Sequence, residues 1–121
     1  MVFHVWIGLN DLQGNSNADA KNFSPANTPE AITVGATDIT DNRAWYSNYG
    51  SVVDIFAPGS NVTSAWNNGK NETISGTSMA TPAVAGLVAY FLSFNTATPP
   101  AAMRDFIVSK ATPGKLGNIR E

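Results

Sequence analysis

Apolar residues fall in short runs between long polar stretches until about residue 80, after which they become nearly continuous. Residues 1–6 have the pattern of a short apolar strand. Residues 9–29 are rich in Asn, Ser, Asp, Gly and Pro and predict loop. Ala31-Ile32-Thr33-Val34-Gly35-Ala36 is apolar and β-branched between Pro29 and Asp38, which predicts a buried strand. Residues 41–50 are polar and turn-like. Residues 51–59 predict a second strand, ended by Pro58-Gly59. The runs 62–66 and 73–75 flank the turn Asn67-Asn68-Gly69-Lys70, which predicts a hairpin.

Two helices follow. The first is expected over 78–94, with Pro82 in its first turn, where a missing N–H does no damage. Its apolar residues run almost all the way round, and Ala85 and Gly86 permit close packing. Such a helix belongs inside a larger core than these elements supply, so the chain reads as a piece of a larger fold. The second helix is expected over 99–110, with Thr98 as its cap and Met103, Phe106 and Ile107 on one face.

The 121 residues suit one domain, and a net charge of −2 with no basic patch argues against nucleic acid as a partner. No apolar run is long enough to span a bilayer, which argues against a membrane. There is no cysteine, so neither a disulfide framework nor a thiolate metal site is available. Residues 1–7 lack the basic flank of a signal peptide. Asn22, Asn61 and Asn71 each open an Asn-x-Ser/Thr triplet, a glycan acceptor only in an exported chain.

The chemistry concentrates in Gly76-Thr77-Ser78-Met79-Ala80-Thr81-Pro82. Ser78 stands at the mouth of the first helix, where unpaired N–H groups and a partial positive charge would stabilise an oxyanion. A serine there can be a nucleophile, or simply a helix cap. A lipase-type elbow would place glycine where Ala80 stands. The only histidine is His4, and nothing around it suggests a base for Ser78.

From Gly14 onward the chain resembles the C-terminal part of a subtilisin-like serine protease, of the fungal proteinase K branch. The resemblance rests on blocks in the right order: Gly14-Asn15-Ser16-Asn17-Ala18-Asp19-Ala20, Ser24-Pro25-Ala26, Thr33-Val34-Gly35-Ala36, Ser47-Asn48-Tyr49-Gly50-Ser51, Asp54-Ile55-Phe56-Ala57-Pro58-Gly59, the Ser75–Pro82 motif and Val84-Ala85-Gly86. It implies an α/β fold: the C-terminal portion of a three-layer domain, mostly parallel sheet with helices on both faces, here incomplete. It implies a serine endopeptidase acting on protein or peptide substrates outside the cell. By the same resemblance Ser78 is the nucleophile and Asn15 the oxyanion donor. Gly14, Phe23, Gly76 and Thr77 bind substrate. The carbonyls of Pro29 and Ala31, with Asp54, form a structural calcium site; the chemistry itself needs no cofactor.

The chain also departs from the family pattern. The family's aspartate and histidine precede its serine, and nothing in 14–121 matches them. The isolated chain is therefore expected to be inactive, with an upstream half of the same fold as a partner; the other reading is a truncated pseudo-protease that binds peptides or a protease. Residues 1–13 do not follow the pattern and read as a retained intron or a loop insertion before the peptidase region 14–121. Ala83 stands where the family usually has a histidine that packs behind the serine.

Overall fold

A computed structural model describes residues 15–120, so the strand expected over 1–6 and the assignments to residues 1–14 lie outside the described residues. The order of elements is a 3-10 turn (Ala20–Asn22), β1 (Val34–Thr37), β2 (Ile55–Pro58), β3 (Val62–Ala65), β4 (Asn71–Ile74), α1 (Thr77–Leu92) and α2 (Pro100–Lys110). β1 and β2 pair in parallel, with Val34 opposite Ile55 and Thr37 opposite Pro58. β3 and β4 form the expected antiparallel hairpin, and Asn68 Oδ1 accepts the Lys70 amide in its turn. The architecture is the α/β one expected.

α1 packs on both parallel strands. Val34, Ala36 and Ala57 from the sheet meet Ala80, Val84 and Val88 from α1, and Met103 and Ile107 from α2 close the cluster. The small residues of β1 allow this close approach. A Cβ on Gly35 would lie 2.3 Å from the Phe56 ring, so that ring covers the bare backbone opposite it.

Several boundaries differ from expectation for local reasons. Both parallel strands are shorter than the runs that predicted them, starting at Val34 and Ile55, and the Thr33 carbonyl just before β1 accepts the Asp54 amide at 3.0 Å. α1 begins at Thr77, which puts Pro82 in the second turn, without an N–H to offer the Ser78 carbonyl four residues back. Thr98 is not a cap: its hydroxyl donates to the Asn95 carbonyl, and α2 starts from Pro99 and Pro100, whose fixed φ suits a first turn. Gly86 lies on the exposed side of α1, where an added Cβ meets nothing within 4 Å. Only the stripe Thr77, Ala80, Thr81, Val84 and Val88 of α1 is buried, while Leu87, Tyr90 and Phe94 are exposed. No described residue covers the apolar face made by Leu87 and Tyr90 of α1 and by Phe94 just beyond it.

Residues 41–50 are turn-like, as expected, but they enter the core. Arg43 is only 2% exposed. Its Nε donates to the Asn118 carbonyl at 3.2 Å and Nη2 to Asn17 Oδ1 at 2.9 Å, while Nη1 reaches the carbonyls of Ala44 and Ser47. The Tyr49 ring lies 5.3 Å from the guanidinium. Burial, with the like charge of Arg120 behind it, lowers the Arg43 pKa. Arg43→Met should destabilise the chain by about 3 kcal/mol, since four oxygens lose a charged donor. Urea denaturation of the two chains side by side measures this.

Candidate active site

Ser78 is the second residue of α1 and is half-buried. The turn before it is seated on the end of β2 by a close glycine contact. The Gly76 amide donates to the Gly59 carbonyl at 2.8 Å. A Cβ on Gly59 would come within 2.8 Å of the Gly76 carbonyl oxygen and 2.6 Å of Ala36 Cβ, so only glycine lets the strand end and the serine turn meet.

Asn15 comes to the same place from a distant loop. Its Oδ1 accepts the Thr77 amide at 3.0 Å and the Thr77 hydroxyl at 3.2 Å. With Oδ1 taken by two donors, Nδ2 faces the other way. A Cβ built on Gly76 would lie 3.6 Å from Asn15 Nδ2 and 3.8 Å from the Ser78 amide nitrogen. Two N–H donors therefore border one small space at the positive end of α1, kept open by the lack of a side chain at 76. Negative charge placed there would meet both donors and the helix dipole. Thr77 itself is 5% exposed and holds Asn15 through its amide and hydroxyl.

The loop that carries Asn15 is fixed by the 43–49 segment. Asn48, buried, accepts the amides of Ser16 at 3.1 Å and Ala18 at 3.2 Å on its Oδ1. Tyr46 and Tyr49 carbonyls accept the amides of Asn17 and Ala20. Sequence reasoning gave Asn48 and Thr77 no positioning role; the only signal was that both lie inside recognised blocks. Asn15 also lines an open cleft of about 590 Å³ with Trp45, Tyr46, Ser60, Asn61 and Ser75. Trp45 is 80% exposed at its rim, another residue that sequence reasoning passed over.

The remaining residues stand elsewhere. Gly14 lies outside the described residues. Phe23 closes the 3-10 turn, half-exposed, its amide donating to the Ala20 carbonyl. Asp54 and Pro29 belong to a separate region: Asp54 Oδ2 accepts the Thr33 amide at 2.8 Å, two residues beyond Ala31. Burial raises the Asp54 pKa, partly offset by the Thr33 hydrogen bond and by the Arg104 charge. A half-buried carboxylate is a ligand type that suits a hard cation. The Pro29 carbonyl, however, already accepts Arg104 Nη1 at 3.0 Å. No group of three or more His, Cys, Asp or Glu that could hold a metal occurs among the described residues.

Comparison with known proteins follows the same residues. The family profile described as "Subtilase family" matches residues 12–120. "Proteinase R" of Parengyodontium album is 55% identical over 106 residues, covering 88% of this chain and 27% of that protein. "Alkaline serine exoprotease A" of Vibrio alginolyticus is 53% identical over 107 residues, covering 88% and 20%. A crystal structure of "a cold adapted subtilisin-like serine proteinase" superposes with a TM-score of 0.87 at 50% identity, over 89% of this chain and 40% of that one. The chain thus spans well under half the length of each of these relatives.

Asn48→Ala should free the Ser16 and Ala18 amides from their shared acceptor and cost about 2 kcal/mol. Hydrogen exchange should quicken across residues 15–20 and leave the β3–β4 hairpin unchanged. Equal quickening in both would show that Asn48 serves the whole fold and not this loop.

Proposed function

We propose, for a chain that belongs to the subtilase family, that it is the serine-bearing part of a peptide-bond hydrolase, with Ser78 as nucleophile and Asn15 as oxyanion donor. The observation that carries this reading is the pair of donors, Asn15 Nδ2 and the Ser78 amide, bordering one space at the start of α1. In acyl transfer Ser78 Oγ attacks the peptide carbonyl carbon as its proton passes to a base. The carbonyl oxygen takes the negative charge between the two donors. The leaving amine then takes the proton, and water releases the acyl group.

A histidine base of the kind the family uses would have to come from outside residues 15–120, which contain none. The single histidine in the sequence is His4, outside the described residues. A serine hydroxyl without a base is a weak nucleophile at neutral pH. We therefore read the 121-residue chain by itself as inactive, and activity as requiring the aspartate and histidine of a complementary part of the fold. The bare apolar face of Leu87, Tyr90 and Phe94 supports this, as does the 40% share of the structural relative that the chain covers. A protein or peptide substrate would lie against Ser78 and Asn15, with Gly14 and Phe23 shaping the pocket as the family resemblance implies. Pro29, Ala31 and Asp54 would hold a structural calcium. No helix among the described residues is long and apolar enough to cross a membrane. The Vibrio relative is named an exoprotease, which supports an extracellular setting.

Labelling with a serine-directed phosphonate, mapped by mass spectrometry against Ser78→Ala, tests the assignment. The folded chain alone should give neither adduct nor peptide hydrolysis. Supplied with the part of a subtilisin-like domain that precedes the matched region, it should give an adduct at Ser78. Hydrolysis by the chain alone that disappears in Ser78→Ala would overturn the proposed inactivity. Labelling of the completed domain at another residue would overturn the nucleophile.

Gly76→Ala separates site from fold. The added methyl would meet its neighbours at ordinary contact distance, 3.6 Å or more, so stability should be nearly unchanged. It would crowd both donors. Turnover of the completed domain should fall about 10²-fold, the scale measured for loss of one oxyanion donor in a subtilisin.

A further inference from the structure

Arg104 lies on α2 and reaches across to the loop before β1. Its Nη1 donates to the Pro29 carbonyl at 3.0 Å, a contact between residues 75 apart in sequence. That carbonyl belongs to the proposed cation site. The rest of the site is tied to the same loop: Asp54 Oδ2 accepts the Thr33 amide at 2.8 Å, and the Thr33 hydroxyl donates to the Ala26 carbonyl at 2.8 Å. The Arg104 charge attracts Asp54, and the Asp105 charge repels it. The guanidinium makes its closest ion contact with Asp105, at 3.5 Å. A positive group therefore already occupies one carbonyl of the proposed cation site.

We propose that Arg104 is an internal counter-cation that competes with calcium for this site. Calcium gathers six to eight oxygens at about 2.3–2.6 Å and needs the Pro29 carbonyl turned toward it. A guanidinium on the same carbonyl blocks one ligand and adds like-charge repulsion, which in a half-buried setting is only partly screened. With Arg104 in place, the loop over 23–31 is held to α2 without metal. When calcium enters, Arg104 must swing away, and the loop is held to Asp54 instead. Arg104 thereby sets how far the placement of Phe23 depends on calcium. The inference rests on the reading of Pro29, Ala31 and Asp54 as cation donors and is independent of Ser78 chemistry.

The test measures calcium binding by titration calorimetry, and hydrogen exchange over residues 20–33, on the full chain and its variants. Arg104→Ala removes both bond and charge. Arg104→Gln can still donate to the Pro29 carbonyl without the charge, and it serves if Arg104→Ala does not fold. Both variants should bind calcium at least tenfold more tightly than the parent chain. Without calcium, exchange over 20–33 should rise about tenfold in Arg104→Ala and less in Arg104→Gln, and calcium should reverse it. Adding Asp54→Asn should abolish the gained binding. Equal affinity in all three chains would overturn the competition while leaving the cation site standing. No calcium binding in any of them would remove the cation site, and the proposal with it.

Discussion

A guanidinium that is 2% exposed, with no carboxylate within ion-pair distance among the described residues, must be solvated by neutral oxygens. Around Arg43 those oxygens come from its own turn, from the segment near Asn118 and from Asn17. The requirement is strict, because arginine does not escape burial by losing its proton. Satisfying it forces three separate stretches of chain to one point. The stretch that holds Asn17 also holds Asn15, so the placement of the proposed oxyanion donor follows from solvating a buried cation. Asn48, Tyr46 and Tyr49 then complete the attachment through main-chain bonds.

The second donor is placed by the absence of atoms. Gly59 lets the end of β2 touch the Gly76 carbonyl, and Gly76 leaves open the space shared by Asn15 Nδ2 and the Ser78 amide. Thr77 links the two halves, since its amide and hydroxyl orient the Asn15 carboxamide. If the two groups serve as proposed, they are held in advance of any developing charge, as an effective oxyanion site requires.

Much of this was legible from residue pattern. The hairpin follows from Asn67-Asn68-Gly69-Lys70 between two β-prone runs, the first helix from apolar continuity, and the second from Met103, Phe106 and Ile107 on one face. Ser78 stands out because a small residue pair and a helix start leave it prominent, and Asn15 through its block. What pattern could not supply were contacts whose partners lie far away in sequence. Nothing local marks Arg43 as buried, and a polar stretch such as 41–50 suggests surface until its carbonyl partners, 117–120 among them, are known. Thr98 misled because Ser/Thr capping is a local rule, and here two prolines already begin the helix. Arg104 looked like an ordinary helix-surface charge, and only the fold brings Pro29 to it.

The exposed side of α1 and the proposed site at its N-terminus belong to one helix. A helix that is apolar on nearly every face is designed, in effect, for burial on two sides, and here the sheet covers one. The donors for the oxyanion are held by contacts within 15–20, 43–50, 59 and 76–78, all on the covered side. In the proposed reading, the half of the site that stabilises charge is assembled by contacts within 15–120, whereas a histidine to move the proton would have to come from outside that stretch, which contains none. A cover over Leu87, Tyr90 and Phe94 would complete the burial that the apolar pattern of α1 calls for.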